Sequence, residues 1–101
     1  MTRLTSKQRA HLRALAHHLK PVAHIGAEGL TEAALLGILE AFNTRELLKV
    51  KVLESAPASA RDTADAIVAR LEGVDVAQTI GRTAVLYRRH PDKPEIQLPR
   101  A

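Results

Sequence analysis

The period of the hydrophobic positions changes several times along the chain, and each change marks an element. Leu12, Leu15, Ala16 and Leu19 recur at the i, i+3, i+4, i+7 spacing of one helical face. Thr5 stands before them as an N-cap, and Gln8 completes a capping box, so a first helix is expected from Ser6 to about Leu19, where Pro21 stops it. Val22–Ile25 reads as a short strand, and Gly26-Ala27-Glu28-Gly29 as a tight loop. Thr31 caps a second helix, whose apolar stripe is Leu35, Ile38, Leu39 and Phe42. Leu30 can staple onto Leu35. From Glu46 to Leu53 the period drops to two, with Leu48, Val50 and Val52 on one face and Leu47, Lys49 and Lys51 on the other.

After a loop at Ser55–Ala58, Ser59 and Asp62 can cap a third helix. Ala60, Ala64, Ile67, Val68 and Leu71 face inward, and Gly73 lies just past its end. Val76–Ile80 and Thr83–Arg88 pair as a hairpin around Gly81-Arg82, a two-residue turn with glycine first. The unbroken run Ala84-Val85-Leu86 suits an interior strand. From His90 onward, Pro91, Pro94 and Pro99 favour an extended tail, which gives one domain over 1–90 and a tail over 91–101. The order α-β-α-β-α-β-β, with right-handed crossovers, makes the first two strands parallel. The hairpin makes the last strand antiparallel to its predecessor. The fold class is α+β, an α/β-like two-layer sandwich on a mixed four-stranded sheet.

Composition narrows the function. A chain of 101 residues with 46% hydrophobic content supports one packed domain. Phe42 and Tyr87 are its only aromatics, so the core is mostly aliphatic and two aromatics cannot supply a base-stacking platform. With no cysteine, disulfides, thiolate metal sites and cysteine nucleophiles are excluded. Met1–Lys7 lacks the apolar run of a signal peptide, and no stretch approaches the roughly 18 apolar residues of a membrane span, which fits a cytoplasmic location. No Walker loop, nucleophile elbow or HExxH spacing occurs; His11 and His18 stand about 10 Å apart along the first helix at ~1.5 Å per residue, and His17 and His18 are adjacent and point differently. An enzyme, a cofactor and a metal site are therefore not expected. The net charge of +4 and pI near 10 permit a polyanionic partner. Residues 1–30 carry Arg3, Lys7, Arg9, Arg13 and Lys20 against Glu28 alone, an excess equal to the net charge of the whole chain.

Several segments occur together in register: Leu4-Thr5 opening a basic helix, Leu12-Arg13-Ala14-Leu15-Ala16, Leu19-Lys20-Pro21, Ile25-Gly26-x-x-Gly29-Leu30-Thr31, Glu46–Val52 and Ile80–Arg88. In this order they resemble the YhbY family, bacterial stand-alone versions of the CRM (chloroplast RNA splicing and ribosome maturation) domain. The likeness runs from about Leu4 to Pro99. It implies a sheet in strand order 1-2-4-3, similar to the C-terminal domain of translation initiation factor three. It also implies RNA binding and association with the maturing large ribosomal subunit, with ribosomal RNA as partner.

Three groups of residues could meet a phosphate backbone. The glycines of Gly26-Ala27-Glu28-Gly29 can take positive φ and let a ligand approach closely, and the loop opens onto a helix with unpaired amides. Many family members carry a basic residue between these glycines. Here Ala27 and Glu28 stand instead, so the loop offers backbone donors and little charge. The first helix supplies Lys7, Arg9 and Arg13, with Lys20 just beyond it; Arg9 and Arg13 share a face. Lys49 and Lys51 lie on the open side of the second strand if the second and third helices cover the other face. Arg82 at the hairpin turn is a further candidate. The competing readings are a protein-interaction module that presents its basic face to acidic partners and a helical DNA-binding protein, which the crossovers and hairpin disfavour.

Overall fold

A computed structural model describes residues 4–100; Arg3, counted among the basic residues of the first third, lies outside them. The elements are α1 (Ser6–Ala16), β1 (Ala23–Ile25), α2 (Glu32–Ala41), β2 (Leu47–Val52), α3 (Ala60–Arg70), β3 (Asp75–Ile80) and β4 (Thr83–Tyr87). All three helix starts follow from local chemistry. The hydroxyls of Thr5, Thr31 and Ser59 accept from the amides of Gln8, Ala34 and Asp62, and Gln8 Oε1 accepts in turn from the Thr5 amide to close the capping box. α1 is shorter than expected and ends at Ala16, not near Leu19. Past Ala16 the chain closes with tighter three-residue bonds, His17 N–H to the Ala14 carbonyl and Leu19 N–H to the Ala16 carbonyl, and Lys20, as the residue before Pro21, disfavours helical geometry.

The sheet order is β1-β2-β4-β3, with β1 parallel to β2 and the other pairs antiparallel. β4 is an interior strand, as its apolar run requires. Gly81, at φ +54°, makes the hairpin turn, and a register shift between Val76 and Gln78 leaves Ala77 as the extra residue of a bulge.

Each face of the sheet has its own core. On one, Leu48, Val50 and Val52 of β2 and Ala84 and Leu86 of β4 pack against Leu35 and Ile38 of α2 and Ala64 and Ile67 of α3. This is the expected sandwich of sheet and helices. On the other, Leu47, Ala77, Val85 and Tyr87 pack against Leu12 and Ala16 of α1, with Leu4, Leu19, Ile96 and Leu98 at the margin. α1 and the tail thus add a partial third layer on a face that was expected to be open. Leu15, expected inward, is 44% exposed because Leu12 and Ala16 take the contact with the sheet.

The tail over 91–100 has no regular structure, yet it is pinned. The buried Glu46 carboxylate accepts from the amides of His90 at 2.8 Å and of Glu95 and Ile96 at 2.7 Å each. Burial pushes the Glu46 pKa up, but the three amides and nearby His90 outweigh it and hold the carboxyl below its usual value. Gln8 donates to the Pro99 carbonyl, which ties the tail to α1.

Candidate nucleic-acid interface

The second face of the sheet is covered over only part of its length. Its side chains form three cross-strand rows. The first is Leu47–Tyr87–Asp75, under α1 and the tail. The second is Lys49–Val85–Gln78, at the edge of α1. The third is His24–Lys51–Thr83–Ile80, beyond α1; His24 and Lys51 are exposed, and Ile80 is 56% exposed. Lys49 and Lys51 therefore do share a face, but not an open one throughout. Lys49 is partly covered and its Nζ donates to the His17 carbonyl at 3.4 Å, at the end of α1.

Between α1 and the second row lies a cleft of about 240 Å³, bordered by Arg13, His17, Lys49, Gln78, Ile80 and Val85. Arg13 reaches this cleft from the flank of α1 that faces the open rows. Arg9 lies one turn earlier on the same flank, but its guanidinium folds back onto the Leu4 carbonyl and the Ser6 hydroxyl. Lys7 projects from another side of α1, about 140° from Leu12 at 3.6 residues per turn. Lys20 lines a separate groove with Leu15, Leu19, Arg45 and Ile96 over the covered end of the sheet. The structure thus gathers Arg13, Lys49 and Lys51 and leaves Lys7 and Lys20 apart.

The glycine loop stands at the end of the sheet nearest the third row. The Gly29 amide donates to the Gly26 carbonyl at 2.9 Å, which places the exposed Ala27 and Glu28 at the centre of a turn. Only one of the two glycines needs its conformational freedom. Gly29 has φ +70°, and a Cβ there would meet Pro57 Cγ at 3.1 Å. Gly26 has no positive φ, and a Cβ on it would make only ordinary contacts with Leu53 and Ser55, at 3.8 and 3.9 Å. Of the two glycines that can take positive φ, Gly29 alone does so.

Just past the loop, Thr31 caps the Ala34 amide and leaves those of Glu32 and Ala33 without a helical partner. The carboxylates around this end are partly neutralised. Arg70 donates to both Glu32 oxygens, at 2.8 and 3.1 Å, and Arg82 lies 3.5 Å from Glu54. Arg82 sits beside the loop because its carbonyl accepts from the Val52 amide, and its guanidinium makes an exposed, solvent-screened contact with Glu54. Positive charge near the loop comes from the sheet face and from Arg82.

Sequence reasoning missed one part of this site and left another open. Gln78 gave no signal, because the bulge that sets its register is invisible in the chain. For His24 the sequence allows either partial burial or a place facing RNA; it is exposed, and the parallel register sets it beside Lys51.

Fold and site together define a class: a small mixed-sheet domain whose glycine loop and half-uncovered cationic face lie at one end. The CRS1 / YhbY (CRM) domain profile matches residues 4–88, and the chain belongs to this family. It is 40% identical over 96 residues to the Bacillus subtilis protein named "Probable RNA-binding protein YqeI", which covers 95% of this chain and 99% of that one. It is 45% identical over 100 residues to a Haemophilus influenzae protein named "RNA-binding protein", covering 99% of each chain. The solution structure of the hypothetical protein SAV1595 from Staphylococcus aureus superposes with a TM-score of 0.79 at 34% identity, over 96% of this chain and 100% of that one.

Proposed function

We propose that this protein binds RNA through its backbone and contacts ribosomal RNA during assembly of the large ribosomal subunit, in the cytoplasm, as a binding protein and not an enzyme. The observation that carries the RNA-binding reading is the exposed Lys51 on the uncovered part of one sheet face, with the half-covered Lys49 and, from α1, Arg13 beside it, next to a glycine loop with free helix amides behind it. Cations on a rigid sheet neutralise phosphates at fixed positions, and backbone amides at a helix start complement a further one. The shortage of aromatics leaves base stacking little part. Proteins of the same family and length carry RNA-binding names, which supports the partner class. The choice of ribosomal RNA and the large subunit rests on the family resemblance.

Crosslinking in cells, followed by sequencing of the attached RNA, tests the second half of this reading; enrichment of large-subunit ribosomal RNA is the expected result. The first half is tested by binding as a function of salt. With roughly four phosphates neutralised, log K should fall against log salt with a slope of about −3 to −4. A flat response would favour a protein-interaction module.

A further inference from the structure

The cleft between α1 and the sheet contains a group that the fold leaves unsatisfied. Gln78 Oε1 is buried without a hydrogen-bond partner, the one such side-chain atom among the described residues. The side chain lines the cleft together with Arg13 and Lys49, which supply its positive charge, and with Ile80 and Val85, which supply an apolar wall. A buried amide oxygen with an unmade bond is costly; it is out of reach as it stands, so a ligand in the cleft bonds it only when the amide turns outward, and that bond offsets the cost. Rotation of the amide exchanges oxygen and nitrogen, so it can meet a donor or an acceptor.

We infer that this cleft holds the sugar of one unpaired ribonucleotide, whose flanking phosphates lie on Arg13 and Lys49 and whose 2′-hydroxyl bonds the Gln78 amide. The inference rests on the RNA-binding reading and deepens it. Three observations select this ligand. The cleft, at about 240 Å³, has room for one sugar–base unit and not for a duplex. Its positive charge comes from two side chains, Arg13 and Lys49, one for each flanking phosphate. Its wall is aliphatic, with Ile80 at 56% exposure, which suits a sugar or base face without stacking. The 2′-hydroxyl is both donor and acceptor, so either orientation of the amide can bond it, and it is the group that tells RNA from DNA. Arg13 and Lys49 alone would bind both nucleic acids; Gln78 would make the site prefer RNA.

The test uses the full chain and two hairpin probes that share an all-RNA stem and differ only in a ribose or 2′-deoxyribose loop. The stem keeps its shape, so the comparison isolates the loop hydroxyls. The native protein should bind the ribose loop about five- to tenfold more tightly, the value of one recovered hydrogen bond. Gln78→Met, close in volume, should erase this preference while it keeps the affinity for the deoxy loop and the salt slope. Arg13→Gln should do the reverse, lowering the slope and affinity for both probes while the ratio between them stays. Thermal unfolding confirms that each variant is folded. If the native protein binds both hairpins equally, or Gln78→Met keeps the preference, the cleft assignment is overturned and RNA binding stands. If the native protein binds neither, the RNA-binding reading falls and this inference falls with it.

Discussion

The two halves of the second sheet face are built from the same strands and differ in what covers them. Along β2, Leu47 is buried under α1 and the tail, Lys49 is half covered, and Lys51 is exposed. Along β4, Tyr87 and Val85 are buried and Thr83 is partly so. Within two steps of two residues, β2 passes from core to surface and β4 from core to its margin. The opposite face shows no such gradient: Leu48, Val50 and Val52 are all essentially inaccessible. One strand thus serves two purposes. Its even positions hold the domain together, while its odd positions carry an apolar anchor for α1 and then a cationic surface. Because α1 stops at Ala16, its end sits over Lys49 and leaves Lys51 uncovered.

The comparison can be broken from the stable side first. Leu48→Ala should destabilise the protein by about 2–5 kcal/mol, through lost burial and the cavity left behind. Denaturant unfolding measures this. A cost under about 1 kcal/mol would mean that the face beneath α2 and α3 is not the main core.

The covered half depends on Glu46. Glu46→Ala leaves three amides without their acceptor and should cost roughly 1–3 kcal/mol. The loss should concentrate in the tail, where hydrogen exchange at Glu95 and Ile96 should speed up more than exchange in β4. The native carboxylate makes the same point through pH. Its folded pKa is depressed, so its contribution is complete above the ordinary value of 4.5 and is lost as pH falls through the lower folded pKa. Stability that is flat from neutral pH down through this window would show that the three amide bonds do little for the tail.

How much of this was legible in the chain depended on range. The caps at Thr5, Thr31 and Ser59 act over three residues, so the sequence shows them directly. Alternation in β2 and the apolar run of β4 were equally local, and together with the crossover rule they led to the sheet. The face chosen by α1 was not legible, because its Leu12–Ala16 stripe would fit either side of the sheet. Its partners Ala77 and Tyr87 are more than sixty residues away. Glu46 read as an ordinary strand-edge acid, since the amides it accepts from lie 44 to 50 positions on. The candidate site divided in the same way. The glycine spacing and the lysine pair were visible, whereas the cleft that joins Arg13 to Lys49 exists only after α1 has docked.

The open half should yield a smaller effect on folding and a larger one on binding. Lys49→Ala with Lys51→Ala should change stability by no more than about 0.5 kcal/mol per site. Each lost phosphate contact should lower the salt slope by about 0.7 to 0.9. Arg9→Ala should change the slope less than Arg13→Ala, since the Arg9 guanidinium is held by its own helix start. An unchanged slope in the double lysine variant, at matched salt, would move the RNA off the sheet.

The smallest expected effect on folding comes from Gly26→Ala, and for that reason it is the sharpest probe of the loop. Substitution at Gly29 confuses two causes. Its φ of +70° disfavours any side chain, and Pro57 lies 3.1 Å from the added Cβ, so folding and binding would suffer together. Gly26 has neither constraint: its backbone suits any residue, and its Cβ would touch Leu53 and Ser55 only at ordinary distances. Inside the folded chain nothing requires glycine there. Replacing it by alanine should leave stability the same or raise it by a few tenths of a kcal/mol, because the unfolded chain loses freedom. If a phosphate approaches the loop backbone closely, the new methyl group stands in its path, and RNA affinity should fall severalfold without a change in salt slope. Calorimetric unfolding and binding at two salt concentrations separate these outcomes. Unchanged affinity in a fully folded Gly26→Ala protein would reduce the loop to a strand-to-helix turn and leave RNA contact to the cationic half of the sheet.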